Sequence, residues 1–203
     1  MSKTKSNKLA GTFTKIALGL TSLALLAIPM TVKAVDTTVT IAVNGAITVF
    51  TTSGTVTLGA ITPDATGKQS TNKDTVTVTT NDSDGYTLTL KDADTTYTLA
   101  SGGDSFAASS GTPASPITLI NNTWGWRVDS LAGFGAGPTS VISSASPSAL
   151  TFAAIPANGT PYTINSAAAS GTEVTDVWYS ARANDSQPSG TYTDLVTYTA
   201  AVI

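Results

Sequence analysis

The chain has 203 residues, of which 41% are hydrophobic and only 11% charged, and it contains no cysteine and no histidine. Without those two residue types there is no Ser-His-Asp or Cys-His nucleophile, no base of near-neutral pKa and no usual zinc ligand set, so those catalytic classes are excluded. Beyond residue 34 all 13 acidic residues face only Lys68, Lys73, Lys91, Arg127 and Arg182, a formal charge of about −8, and such a surface offers nucleic acid no basic patch.

Residues 1–15 hold Lys3, Lys5, Lys8 and Lys15 and no acid, and residues 16–30 (IALGLTSLALLAIPM) form an apolar run broken by Pro29. A basic leader followed by about 15 apolar residues has the length of a signal-peptide core and falls short of the roughly 20 that a membrane span needs. Val32-Lys33-Ala34 supplies the positions a signal peptidase reads, so residues 1–34 are expected to be a signal peptide cleaved after Ala34. The competing readings are an uncleaved anchor, opposed by Gly19, Thr21 and Ser22 within the run, and a type IV pilin leader, for which Lys15 is misplaced. The expected address is extracellular or cell-surface, with no membrane span after cleavage. Residues 35–203 are expected to form a single domain.

Threonine makes up about a fifth of that domain, and β-branched side chains favour a pleated, half-buried surface over a helix. Apolar and hydroxyl residues alternate with period two at residues 39–43, 56–58, 76–78 and 88–90, the pattern of strands with one face on a core. Asn44-Gly45 reads as a two-residue hairpin, residues 81–85 (NDSDG) as a second hairpin loop, and residues 91–94 as a third leading into a strand at 95–99. Residues 101–116, rich in Gly, Ser, Ala and Pro, read as an irregular excursion. Strands are then expected at 117–120, 124–128, 139–142, 149–155, 162–164, 174–183 and 191–202. Some ten to twelve short strands with turn signals between them predict an all-β fold, an immunoglobulin-like or jelly-roll β-sandwich.

Several groups are candidates for chemistry. Asp82 and Asp84 in one turn and Asp92 and Asp94 in the next offer oxygen ligands to calcium, although the spacing is not that of an EF-hand and Asx turns account for the same residues. Glu173 and Asp176 would point to opposite faces of one strand, a poor arrangement for a glycosidase pair. Trp124, Trp126 and Trp178 are either stacking platforms for sugar rings or core anchors between sheets. No catalytic residue and no cofactor is expected.

Residues 188–198 (PSGTYTDLVTY) resemble the tyrosine corner of immunoglobulin-like sandwiches, with Gly190 and Tyr192 in the structural positions. The same Pro-x-Gly-x-Tyr-x-Asp run is similar to the terminal motif of the spore coat protein U family and related pilin-like subunits. That family carries cysteines where this chain has none, so the resemblance implies a β-sandwich subunit and not the chaperone-and-usher route. A second resemblance, to secreted bacterial surface proteins and in flavour to the WxL type among them, runs through residues 81–90 with their Gly85-Tyr86-x-Leu88 step, Asn122-x-Trp124-Gly125-Trp126 and the terminal corner. The defining Trp-x-Leu pairs are absent, so it implies a surface address without that mode of wall binding.

In immunoglobulin topology a strand follows the one the corner opens, whereas this chain stops at Ile203, so either the last strand is final or a groove is left open. An open groove is the liability that strand donation by a neighbour resolves, and residues 35–43 are placed to donate. The competing reading pairs residues 35–43 within their own subunit through Asn44-Gly45. The expected function is a non-catalytic structural or adhesive surface protein that self-assembles by strand exchange. The alternative is a carbohydrate- or cell-wall-binding module whose partner is wall polysaccharide.

Overall fold

The computed structural model describes residues 38–137 and 139–203. The expected leader, its cleavage after Ala34 and the first residues of the expected donor segment lie outside that range. The chain divides into Met1–Ile41 and Ala42–Ile203. Of the first unit only residues 38–41 are described; they are outside any strand, with Val39 90% and Ile41 85% exposed.

The second unit is nearly all β. Its strands are β1 (Ile47–Thr51), β2 (Lys68–Thr80), β3 (Tyr86–Asp92), β4 (Leu99–Ser101), β5 (Asp104–Ala108), β6 (Ile117–Thr118), β7 (Thr123–Arg127), β8 (Ile142–Ala145), β9 (Thr151–Phe152), β10 (Tyr162–Ala167), β11 (Gly171–Ala183) and β12 (Val196–Val202). The only helix among the described residues is a single 3₁₀ turn, Ala132–Phe134. The larger sheet runs β1-β2-β11-β7-β5-β4, with β8 also on β2, and the smaller runs β10-β3-β12.

The spine is the antiparallel pair β2–β11, in register over all 13 residues of each strand from Lys68↔Ala183 to Thr80↔Gly171. Val76 and Val78 of β2 and Val177, Tyr179, Ala181 and Ala183 of β11 are buried, and they join Leu88 and Leu90 of β3 in one apolar core. Side chains of a strand alternate between faces, so the period-two pattern of β2 and β3 is what delivers one apolar row from each sheet. The Tyr179 and Tyr198 hydroxyls, 2.7 Å apart, bridge the two sheets through that core. On the opposite face of the larger sheet Gln69, Thr71 and Ser180 are equally buried, and their side chains satisfy one another, with Gln69 Nε2 donating to Ser180 Oγ at 2.8 Å and the Thr71 and Ser180 hydroxyls 2.7 Å apart.

Several local expectations are corrected. Residues 39–43 and 56–58 are not strands, although Val56 and Leu58 do pack against the core. Asn44-Gly45 therefore joins no hairpin; instead Asn81 clamps this stretch, accepting from the Ala46 N–H at 2.6 Å and donating to the Asn44 carbonyl at 3.4 Å. Residues 81–85 are no hairpin loop either, because β2 and β3 belong to different sheets and the turn carries the chain across the core. The turn at residues 91–94 likewise leads from β3 to a different sheet. Residues 101–116 contain β5, and residues 191–195 precede β12 as a corner. In that corner the Tyr192 hydroxyl donates to the Pro188 carbonyl at 2.6 Å and its ring meets Phe106 edge-on at 4.8 Å. Gly190 leaves room for Ser101, whose Oγ would lie 2.6 Å from a Cβ at that position.

Candidate functional site

The larger sheet has a gap. β11 is paired with β2 along its whole length, but β7 covers only residues 178–182 on the other side. Among the described residues, 171–177 of β11 have no strand partner on that side. A short β7 has a physical cause: after Arg127 the chain turns away at Asp129, whose carboxylate receives the Thr139 N–H and hydroxyl, both at 2.6 Å, and the Arg127 Nε–H at 2.8 Å. Ser130 and Ala132 hold left-handed φ values of 65° and 48° in the turn that follows, a conformation unfavourable for residues with a Cβ.

Beside the gap lies an open cleft of about 410 Å³, lined by Val128, Leu131, Ile164, Val174, Thr175 and Trp178 among others. Its floor is tied by Asn165, whose Nδ2 donates to Thr175 Oγ1 at 2.7 Å and to the Tyr86 hydroxyl at 3.2 Å. Burial, reinforced by the neighbouring Glu173 carboxylate, pushes the Tyr86 phenol up to about 12, so that it stays neutral and acts only as a hydrogen-bonding group. Val174, at the centre of the unpaired edge, is 60% exposed.

The aromatic residues are placed otherwise than a sugar platform requires. Trp124, Trp126 and Trp178 are 2%, 0% and 6% exposed. Trp124 and Trp126 do share a face, and it is the core face: they pair with Ala181 and Tyr179, and their indole N–H groups donate to the Tyr97 and Ala154 carbonyls at 3.1 and 2.7 Å. Trp178 lies on the opposite face of the sheet, with Lys73 Nζ 5.4 Å from the centre of its ring. No contiguous exposed strip links the three.

The acidic candidates separate. Asp82 and Asp84 sit at one end of β3 and Asp92 and Asp94 at the other, where Asp194 joins them so that one carboxylate oxygen from each of the three lies within 4.8 Å of the others. Asp92 and Asp94 act as turn formers: Asp92 accepts the N–H groups of Asp94 and Tyr97 at 2.8 and 3.0 Å, and Asp94 accepts that of Thr96 at 2.7 Å. These bonds explain the first two residues without an ion. Asp194 was not among the sequence candidates, because only the long-range pairing of β12 with β3 brings it there.

Burial, with the charges of Asp92 and Asp94 adding to it, raises the Asp194 carboxyl to about 6 against an opposing bond from the Leu195 N–H. Between about pH 4 and 6 the folded chain therefore holds a proton that the unfolded chain has released, so stability falls as pH rises through that window. Asp194→Asn is expected to flatten the profile there and to raise stability by about 1 kcal/mol near neutral pH, a figure reduced for the partial exposure of the group. Urea melts across pH check this, and an unaltered slope refutes it.

Among the described residues no helix is long and apolar enough to cross a membrane. Comparison with protein-family models, with curated proteins and with solved structures finds no match for this chain.

Proposed function

We propose that this chain is a non-catalytic secreted or cell-surface subunit with a structural or adhesive role, built on an immunoglobulin-like or jelly-roll β-sandwich and assembled by strand exchange between copies. The observation that carries this reading is the uncovered alternation at residues 39–43. Val39, Ile41 and Val43 are 90%, 85% and 79% exposed and belong to no strand, yet they repeat with the period of a half-buried one. Three β-branched side chains on one face of an extended segment favour burial against a sheet, and pairing through Asn44-Gly45 does not provide it. The Tyr192 corner supports the immunoglobulin-like assignment.

Size-exclusion chromatography and negative-stain microscopy of the exported protein test the reading. Polymers that grow with concentration are expected, and both deletion of residues 35–43 and the triple change Val39→Ser, Ile41→Ser, Val43→Ser should abolish them. A monodisperse wild-type protein at every concentration would overturn the proposal.

A further inference from the structure

The exchange reading names a donor without saying where it docks, and several strand edges are available. Resting on that reading, we infer that the acceptor is the unpaired edge of β11 at residues 171–177, and that its occupant is residues 39–43 of a second copy. Three observations converge on this edge.

The first is geometry. The open stretch continues the line of β7 beyond its end at Arg127 and leaves one side of β11 unpaired over residues 171–177. A strand laid there would pair with β11 along one side and could place side chains against the cleft lined by Val128, Leu131 and Ile164. The outer edge of β1, where Phe50 is 66% exposed, offers pairing on one side and solvent beyond. The second is length: the seven unpaired residues span about 23 Å and the five of the donor about 17 Å, so the donor fits inside the gap.

The third is charge. The open stretch of β11 carries Glu173 and Asp176, the latter paired with Lys73, and Asp129, paired with Arg127, stands at the margin of the cleft. Two such edges placed together would bring two Glu173 carboxylates into one interface, and like charges across a strand pair oppose pairing. Residues 37–47 (TTVTIAVNGAI) carry no charge at all. The uncharged alternating segment is thus the part of a second copy that an acidic edge accepts, while edge-to-edge dimers are disfavoured.

The chain's lack of cysteine makes a cross-linking test clean. In the full-length exported protein, Val174→Cys is combined in turn with Val39→Cys, Thr40→Cys, Ile41→Cys, Ala42→Cys and Val43→Cys, so that the donor's face and register are both scanned. Oxidation is expected to give a disulfide-linked ladder of oligomers with one of these pairs, and none when Phe50→Cys replaces Val174→Cys. Val174→Lys, at an exposed edge position, is expected to abolish polymers without lowering the melting temperature, whereas Phe50→Lys leaves them intact. A ladder through Phe50→Cys, or polymers that survive Val174→Lys, would overturn the β11 acceptor while leaving exchange standing. A cross-link confined to single chains, with no ladder, would overturn exchange itself, as would the absence of polymers in the wild type.

Discussion

Asp129→Ala is expected to lower the stability of the folded domain by about 3 kcal/mol, because it leaves a buried guanidinium without its counter-ion. The Arg127 side chain is 1% exposed and that of Asp129 21%, and their closest contacts are 2.8 Å. The other partners of Arg127 are weak: the Thr151 carbonyl lies 3.4 Å from Nη1 and the Phe134 ring centre 6.0 Å from the guanidinium carbon. Burial alone would push the Asp129 carboxyl up, but the Thr139 hydroxyl and N–H, with the charge of Arg127, hold it below the usual carboxylate range. Its contribution is therefore present at neutral pH and is lost as pH falls below about 4, where the unfolded carboxyl begins to take up its proton. Chemical denaturation of Asp129→Ala, Arg127→Met and the double variant checks the argument. The double variant should be more stable than Asp129→Ala alone, since removing both charges avoids the stranded one. Equal stability of the wild type and Asp129→Ala would refute it. The same change frees the turn at residues 129–139 from its anchor, so it should also loosen the margin of the β11 gap.

What the sequence made legible and what it hid divide along a physical line. Alternation at residues 76–78 and 88–90 identified the rows that meet in the core, because side-chain period is local chemistry. Turn chemistry was also legible: residues 81–85 do turn, with Asp82 Oδ1 accepting the Asp84 N–H at 3.0 Å. Which strand each turn leads to was not, since an Asx turn carries no information about partners, and three expected hairpins proved not to be hairpins. Residues 56–58 illustrate the same limit: they alternate and pack on the core beside the stretch of β2 between β8 and β1, but the Thr57 carbonyl there accepts from the Asn72 side chain at 2.8 Å and no strand ladder forms. The candidate site was least visible of all, because the gap beside β11 arises from where β7 ends, and that depends on a contact between Asp129 and Thr139 ten residues apart. A lone arginine in the strand sequence TWGWR, with an aspartate two residues on, was the one available hint of that contact.

Trp126→Ala is expected to have the largest effect of any single change, roughly 3–5 kcal/mol, enough to unfold a domain of ordinary stability. Its side chain is fully buried at the centre of the shared core, with ring centres 5.2 Å from Phe134 and 5.9 Å from Tyr162. Truncation opens a cavity between the sheets and leaves the Ala154 carbonyl without the indole N–H it accepts at 2.7 Å. Trp126→Phe separates these terms: it retains most of the volume and loses the donor, so about 1–2 kcal/mol is expected. Thermal melts and urea titrations give both numbers, and a Trp126→Ala protein that melts like the wild type would show that the residue is not a core anchor. The outcome also bears on how a binding experiment must be read. With all three tryptophans buried, native fluorescence should be blue-shifted and poorly quenched by acrylamide. If peptidoglycan or polysaccharide were bound through these rings, ligand would change that quenching in a protein whose fold is intact. Loss of binding in Trp126→Ala alone would instead report the collapse of the core, so the aromatic-platform function stands or falls on the wild-type spectrum and not on the variant.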